Sequence, residues 1–288
     1  MSKKIRTLAF VIALGVFCVS GYFLVMSYYH EFVANRALEE IRQETIMEIP
    51  IAKDPNDEEG EEVEVFSTIF VDFEMLQGIN SDIIGWIHIP DAFVSYPILF
   101  GNDNQYYLNR TFDRRHNPLG SIFIDFRNNP EFRDLNTIIY GHDTRNDAKF
   151  GSLKRFLEQE YAEANRYIHI IKPHAVYVYE IFAIYETLAT SDTYTIQFPS
   201  RESWENYIRD MVAQTVFEMA PPPTTERIIT LSTCVPNRRE WRLVIQAKLI
   251  ETHSTVAGGS DEINEYEYDE QDEYEETVDG DGVVGAAV

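Results

Sequence analysis

Two alternating runs in the C-terminal third of the chain constrain its fold more than any other feature. Ile228-Ile229-Thr230-Leu231-Ser232-Thr233-Cys234 reads as a strand that ends in a cysteine. By the two-residue period, Ile228, Thr230, Ser232 and Cys234 share one face, and Ile229 and Leu231 share the other. Residues 235–240 carry a proline, an asparagine and three charges, a turn composition. A second run then covers residues 242–250. Leu243, Ile245, Ala247 and Leu249 make its apolar face; Arg242, Val244, Gln246 and Lys248 make the other. Paired as a hairpin, the two runs place Cys234 beside Arg242. A permanent cation next to a thiol favours the thiolate and can hold an oxyanion.

Such a pair needs a base, and the chain has seven histidines. His30 borders a long apolar run, and His253 lies near the start of an acidic tail. His88 and His169 sit inside predicted strands, which points to structural roles. His174 follows Pro173 in a turn, and His116 lies in a polar loop. His142 differs. It follows Thr137-Ile138-Ile139-Tyr140-Gly141, a buried strand closed by a glycine, and precedes a polar stretch. A glycine lets the chain turn tightly and present the next side chain. On the residues alone, a proton-transfer role and a loop histidine satisfied by local hydrogen bonds fit equally. Likewise, Cys234 alone fits either a nucleophile or a small buried hydrophobe.

The N-terminal segment sets the compartment. Residues 1–6 include Lys3, Lys4 and Arg6, and residues 7–29 hold no charge. As a helix this run spans about 35 Å, enough to cross a bilayer. It ends in Tyr22, Phe23, Tyr28 and Tyr29, an aromatic belt with no small-x-small cleavage site. The expectation is an uncleaved single-pass anchor in the cell membrane, with the N-terminus cytoplasmic and the rest extracellular. Residues 30–65 follow as a helical and acidic stalk, with seven acids in 54–64.

Residues 66–252 read as the globular part. Short runs rich in Ile, Val, Tyr and Phe at 85–90, 94–100, 121–125, 137–140, 167–171 and 175–184 predict strands. Pro97 predicts an edge position for its strand. Helices are expected at 72–80, 154–164 and 200–217. In the last, Trp204, Tyr207, Ile208, Met211, Val212, Thr215 and Val216 follow helical spacing, and Pro221-Pro222-Pro223 ends the segment. Many short strands at regular spacing predict a mostly β fold, a closed or nearly closed barrel with added helices.

The formal charge of -24 argues against nucleic acid as a partner. It is uneven, because the stretch from Glu251 onward holds thirteen acids and no Lys or Arg. Residues 253–288 are therefore expected to be a disordered acidic tail. Cys18 lies within the apolar run, so it cannot pair with Cys234 in one domain. No His/Cys cluster has metal-ligand spacing, so neither metal nor cofactor is expected.

Tyr140-Gly141-His142, Thr230-Leu231-Ser232-Thr233-Cys234, and Arg242-Leu243-Val244-Ile245 with Ala247-Lys248 resemble the three signatures of sortases. These are membrane-anchored cysteine transpeptidases of Gram-positive bacteria. Asn104-Gln105-Tyr106-Tyr107-Leu108, Gly120-Ser121-Ile122-Phe123-Ile124-Asp125 and the helix before the cysteine strand resemble class B members. The resemblance covers roughly residues 66–251. It implies a closed eight-stranded sortase-type barrel, with Cys234 as nucleophile, His142 as general acid and then base, and Arg242 holding the substrate backbone or oxyanion. It also implies that Asn104, Leu108, Thr190, Tyr194 and Ser232 bind the substrate. The implied partners are surface proteins with a C-terminal sorting signal, and a peptidoglycan-precursor or pilin amine as acceptor.

Two features depart from the class B pattern. Pro236 makes a Cys-x-Pro turn more familiar in pilin-linking class C enzymes, and Asp143 stands where Asn is usual. No class C lid motif precedes the barrel. Wall anchoring and pilin linkage both stay open on these grounds. Two rivals are a cysteine protease with water as acceptor, and a non-catalytic surface β-barrel that binds a partner.

Overall fold

A computed structural model describes residues 3–50, 67–90, 92–144 and 148–254. The acidic linker at 54–64 and the tail from residue 255 lie outside the described residues. Eight strands form a closed barrel: β3 (Ile83–Ile89), β4 (Val94–Leu99), β5 (Ile122–Ile124), β6 (Asn136–Tyr140), β7 (Tyr167–Ile171), β8 (Ala175–Leu188), β9 (Ile228–Val235) and β10 (Arg238–Ser254). Their order around the barrel is β10-β8-β7-β3-β4-β5-β6-β9, and β9 pairs back onto β10. The β4–β5 and β6–β9 pairs are parallel. The others are antiparallel.

Both faces of the cysteine strand are covered, which explains why six of its residues in a row are buried. Ile229 and Leu231 point into the main core with Ile245 and Ala247 of β10. Ile228 lies in a second cluster with Phe182, Tyr185 and Val244, beneath Trp204, Tyr207, Ile208 and Met211. Those four belong to α4 (Arg201–Val212). Each fully buried side chain of this size contributes roughly 1.5–3 kcal/mol of transfer free energy. The Ser200 hydroxyl accepts from Ser203 N at 3.1 Å, and the Ser203 hydroxyl accepts from Ser200 N at 3.2 Å, a reciprocal cap that starts α4.

α4 is shorter than its apolar spacing predicts. Thr215 and Val216 leave it because β8 captures them. The Thr215 hydroxyl accepts from Ile184 N at 3.0 Å, and Val216 N donates to Ile184 O at 2.8 Å. The helix expected over 154–164 is split. A 3₁₀ segment, Gly151–Leu157, precedes α3 (Gln159–Ala164), with extended backbone at Glu158 between them. Phe150, Leu153 and Phe156 are all buried, and their three-residue spacing is the 3₁₀ period. The helix expected over 72–80 is α2 (Phe73–Ile79), capped by Asp72.

Pro97 does not mark an edge strand, since β4 sits between β3 and β5. Pairing with β5 involves Ile98 and Leu99, so the missing N–H falls just before that ladder. The turn after Cys234 is also tighter than its composition indicates. Only Pro236 and Asn237 separate the strands, with Asn237 at φ 62, and the remaining residues form an irregular start to β10.

α1 runs over Lys3–Thr45. Its segment Lys4–Met26 is, among the described residues, a helix long and apolar enough to cross a membrane. Farther along, Leu38 and Ile41 are buried in the barrel's main cluster, and the Arg42 guanidinium lies 4.9 Å from the Tyr96 ring centroid. The sequence reading missed the next element: β1 (Ile46–Pro50) pairs antiparallel with β2 (Ser67–Val71).

His88 and His169 are cross-strand partners with ring centroids 6.1 Å apart. His88 Nδ1 and both His169 ring nitrogens are buried and have no partner among the described residues. Burial lowers both to about 4; Arg42 adds to this at His88, and His88 and His253 add to it at His169, against a smaller opposing effect of Glu251. The unfolded chain therefore binds more protons than the folded one between about 4 and the ordinary value near 6.5. Stability should fall as pH drops through that window. The melting temperature measured from pH 7 to 4.5 is expected to drop steeply in the wild type and less in His169→Phe. Identical slopes would refute this assignment.

Candidate active site

The outward face of β9 changes character along its length. Ile228 lies under α4. Thr230 comes next, its hydroxyl donating to Asn136 Oδ1 at 2.7 Å and accepting from Gln246 Nε2 at 3.1 Å. The Ser232 hydroxyl lies 2.9 Å from the Tyr194 hydroxyl. Cys234 follows beyond this cover and is exposed. A buried β-strand thus delivers a thiol to solvent at its end.

Arg242 is the direct register partner of Cys234 on β10. One guanidinium nitrogen, Nη1, donates to the Arg239 and Trp241 carbonyls at 2.8 and 2.9 Å. The other guanidinium N–H groups have no partner among the described residues. Arg242 and Cys234 both act electrostatically on Tyr194, whose hydroxyl pKa is raised by burial in spite of the Ser232 bond and Arg242.

The parallel β6–β9 ladder brings the histidine to the same place. Tyr140 is opposite Ser232, and Gly141 N donates to Ser232 O at 3.2 Å. His142 and Cys234 are each two residues past that paired position, at the same end of neighbouring strands. Gly141 is required by a close approach: a Cβ there would stand 2.6 Å from the Phe150 ring. His142 Nε2 lies 2.7 Å from Leu108 O. A carbonyl only accepts, so Nε2 carries the hydrogen and Nδ1 is the nitrogen left to exchange a proton. Burial pushes the imidazole pKa down, the Leu108 bond opposes this, and the Lys149 charge adds to it.

Cys234, His142 and Arg242 line one cleft of about 250 Å³, together with Asn104, Gln105, Leu108, Phe123, Tyr140, Gly141, Ala189, Tyr194, Ser232 and Thr233. Four of the five substrate positions expected from sequence are therefore at this cleft. Thr190 is not. It is exposed and lines a neighbouring depression against α4, while Ala189 takes the cleft position. The chain turns away after β8, so adjacent residues face different hollows.

Asp125 is a hub that the sequence reading included in a motif without giving it a role. Its side chain is fully buried. It accepts from Arg127 Nε and Nη2 at 2.8 and 2.9 Å, from Asn104 Nδ2 at 3.0 Å and from the Tyr140 hydroxyl at 3.0 Å. Burial alone would raise its pKa, but the Arg127, Asn104 and Tyr140 bonds outweigh it and leave the carboxyl below the ordinary range. Asn104 Oδ1 accepts from Phe126 N at 3.0 Å, so both ends of that amide are fixed. Tyr140 stacks on Tyr194 with ring centroids 6.2 Å apart, which ties the hub to the wall beside Cys234. Arg127 was missed altogether; its signal is an arginine two residues after an aspartate at a strand end. Among the described residues, no group of three or more His, Cys, Asp or Glu is placed to hold a metal.

Comparison with known proteins agrees with this architecture. The family model described as "Sortase domain" matches residues 87–250. Sortase B of Listeria monocytogenes is 34% identical over 245 residues, which cover 83% of this chain and 94% of that protein. Sortase B of Staphylococcus aureus is 29% identical over 251 residues, covering 86% of this chain and 98% of the relative. A crystal structure of sortase B from Bacillus anthracis superposes with a TM-score of 0.64 at 28% identity, covering 79% of this chain and 99% of that one. An eight-stranded barrel with the cysteine, histidine and arginine signatures at one cleft, and this degree of likeness, make the chain a member of the sortase family, a class B-like cysteine transpeptidase.

Proposed function

We propose that this chain is a membrane-anchored enzyme that cleaves a C-terminal sorting motif of surface proteins and joins the new carboxyl end to an amine of the cell wall. The observation that carries this reading is the meeting of an exposed thiol, its register-paired arginine and a desolvated imidazole at one cleft. In the reaction, the Cys234 thiolate attacks the scissile carbonyl carbon and a tetrahedral oxyanion forms. The free N–H groups of Arg242 donate to that oxyanion or to the adjoining substrate backbone. Collapse breaks the C–N bond, and the leaving nitrogen takes the proton from His142 Nδ1. The product is a thioester on Cys234 and a released amine. Neutral His142 then takes a proton from the incoming amine, which attacks the thioester and expels the thiolate. One amide bond is broken and one is made, with no net redox change and no cofactor. Asn104, Leu108, Tyr194 and Ser232 line the path of the sorting peptide.

Mass spectrometry of the full-length enzyme with a sorting peptide tests this reading. Without an amine, a thioacyl adduct should accumulate on Cys234; an oligoglycine or peptidoglycan-like amine should discharge it as a new amide. Discharge at the same rate by water alone would favour a protease. No adduct across class B and pilin-type peptides would refute the transpeptidase chemistry. Pilin linkage remains a second reading because Pro236 gives the Cys-x-Pro turn, and a pilin amine that outcompetes wall amines would select it.

The proposed topology places residues 7–29 in the membrane and the barrel outside. Lys3, Lys4 and Arg6 precede the apolar run, and acids dominate the segment at 54–64. Protease added to intact protoplasts should remove the barrel domain. Its survival until the membrane is opened would reverse the orientation.

A further inference from the structure

Lys149 is a buried lysine outside the cleft. Its amine donates to the Leu119 and Gly120 carbonyls. Its backbone N–H donates to the Tyr96 hydroxyl at 2.8 Å, and its backbone lies in the left-handed region at φ 53. It also closes the loop that carries the histidine, because Asp143 and Lys149 form an antiparallel bridge. Beside the amine is a cavity of about 30 Å³ lined by Tyr96, Pro97, Phe112, Gly120 and Ile122 among others. A hollow of this size takes about two waters, too few for the full hydration shell of an ammonium. Burial accordingly lowers the amine to about 7. Protonated or neutral, it keeps N–H groups to donate to both carbonyls.

The carbonyls that it grips sit directly on the partner of His142. Gly120 has φ +54, and a Cβ there would stand 2.5 Å from Leu108 O and 2.7 Å from Tyr107 O. Ser121 N donates to Tyr107 O at 2.9 Å. The turn at 119–121 is thus seated on the backbone of Tyr107 and Leu108, and Leu108 O is the acceptor for His142 Nε2. We propose that Lys149 is a positioning residue for His142: its buried amine holds the Leu119–Gly120 turn against Leu108 and so fixes the carbonyl that orients the imidazole. The backbone of the same residue closes the His142 loop from the other side, so both supports of the imidazole meet at one residue, one through its amine and one through its main chain. This inference rests on the proposed proton-transfer role of His142.

The test uses the full-length chain in detergent micelles, with histidine labelled with ¹⁵N. In the wild type, neutral His142 should show one tautomer, Nε2–H, with Nδ1 unprotonated. Its signals are identified by their absence in His142→Ala. Lys149→Met keeps the side-chain length but removes the donor. It should give a mixture of tautomers at His142 and lower kcat by tenfold or more, with KM within twofold, since misplacement by about 1 Å can cost on the order of 10² in rate. Tyr96→Phe removes only the hydroxyl that holds Lys149 N, and should move both readouts the same way by a smaller factor, about threefold. It remains informative if Lys149→Met does not fold. A single Nε2–H tautomer with wild-type kcat in the folded variants would overturn the inference and make Lys149 a packing residue. A fall in kcat with an unchanged tautomer would overturn it as well. Wild-type turnover by His142→Ala would instead sink the proton-transfer role itself, which separates the two failures.

Discussion

Cys234→Ala is expected to abolish both cleavage and transfer of a sorting peptide. In the proposed reaction the thiol supplies the bond to the acyl group, and among the described residues the cleft lining contains no other thiol. Loss of a nucleophile that acts as a unit with its base typically costs on the order of 10⁶-fold in turnover. The side chain is exposed at a strand end, so the substitution should change stability by only about 0.5 kcal/mol. A steady-state assay that reads the cleaved peptide and the amide product, run beside thermal melts, separates the two effects. Cleavage above one part in a thousand of wild type in the alanine variant would show that another group or an activated water does the chemistry.

His142→Ala should fall by roughly 10²–10⁴-fold, the usual worth of a positioned acid and base. A pH profile gives a sharper test. In the proposed reaction the productive state carries a proton on His142 and none on Cys234. As pH rises from acid, thiolate accumulates while the imidazolium persists, so kcat/KM climbs. Above the folded pKa of His142 the imidazolium is stripped, and the climb stops. Burial holds that pKa below its ordinary value, so the first break should lie below about 6.5. A break at or above that value would mean that the ring is more solvated than its place behind Leu108 O implies.

Most of the barrel was legible because its strands alternate, and alternation is a local property. The hairpin from Ile228 to Ile250 is the strongest case, since its two apolar faces alone bring Cys234 beside Arg242. Features built from distant residues were not legible. Asp125 draws Asn104 and Tyr140 from stretches on either side of it, and neither spacing is periodic. Ile46–Pro50 follows a long helix and finds its partner across an acidic stretch, so nothing local marks it as a strand. The segment at 150–157 is apolar at every third residue, which resembles a helix until the chain is seen to tighten. Thr190 and Ala189 show the limit of matching by motif: one residue of offset at a strand end decides which hollow a side chain faces.

The parallel contact between β6 and β9 bears on when the enzyme becomes active during synthesis. It joins Tyr140 to Ser232 across much of the chain, and β9 also needs β10, which is made after it. A chain growing from its N-terminus therefore completes the histidine strand long before the strand that will lie beside it. Ring closure of this kind carries a large loop-closure cost and makes folding slow. Until β9 slots between β6 and β10, the half-made molecule has an imidazole but no thiol beside it. In the proposed reaction the thiol and the imidazole therefore come together only as the barrel shuts, which ties acylation of Cys234 to completed folding.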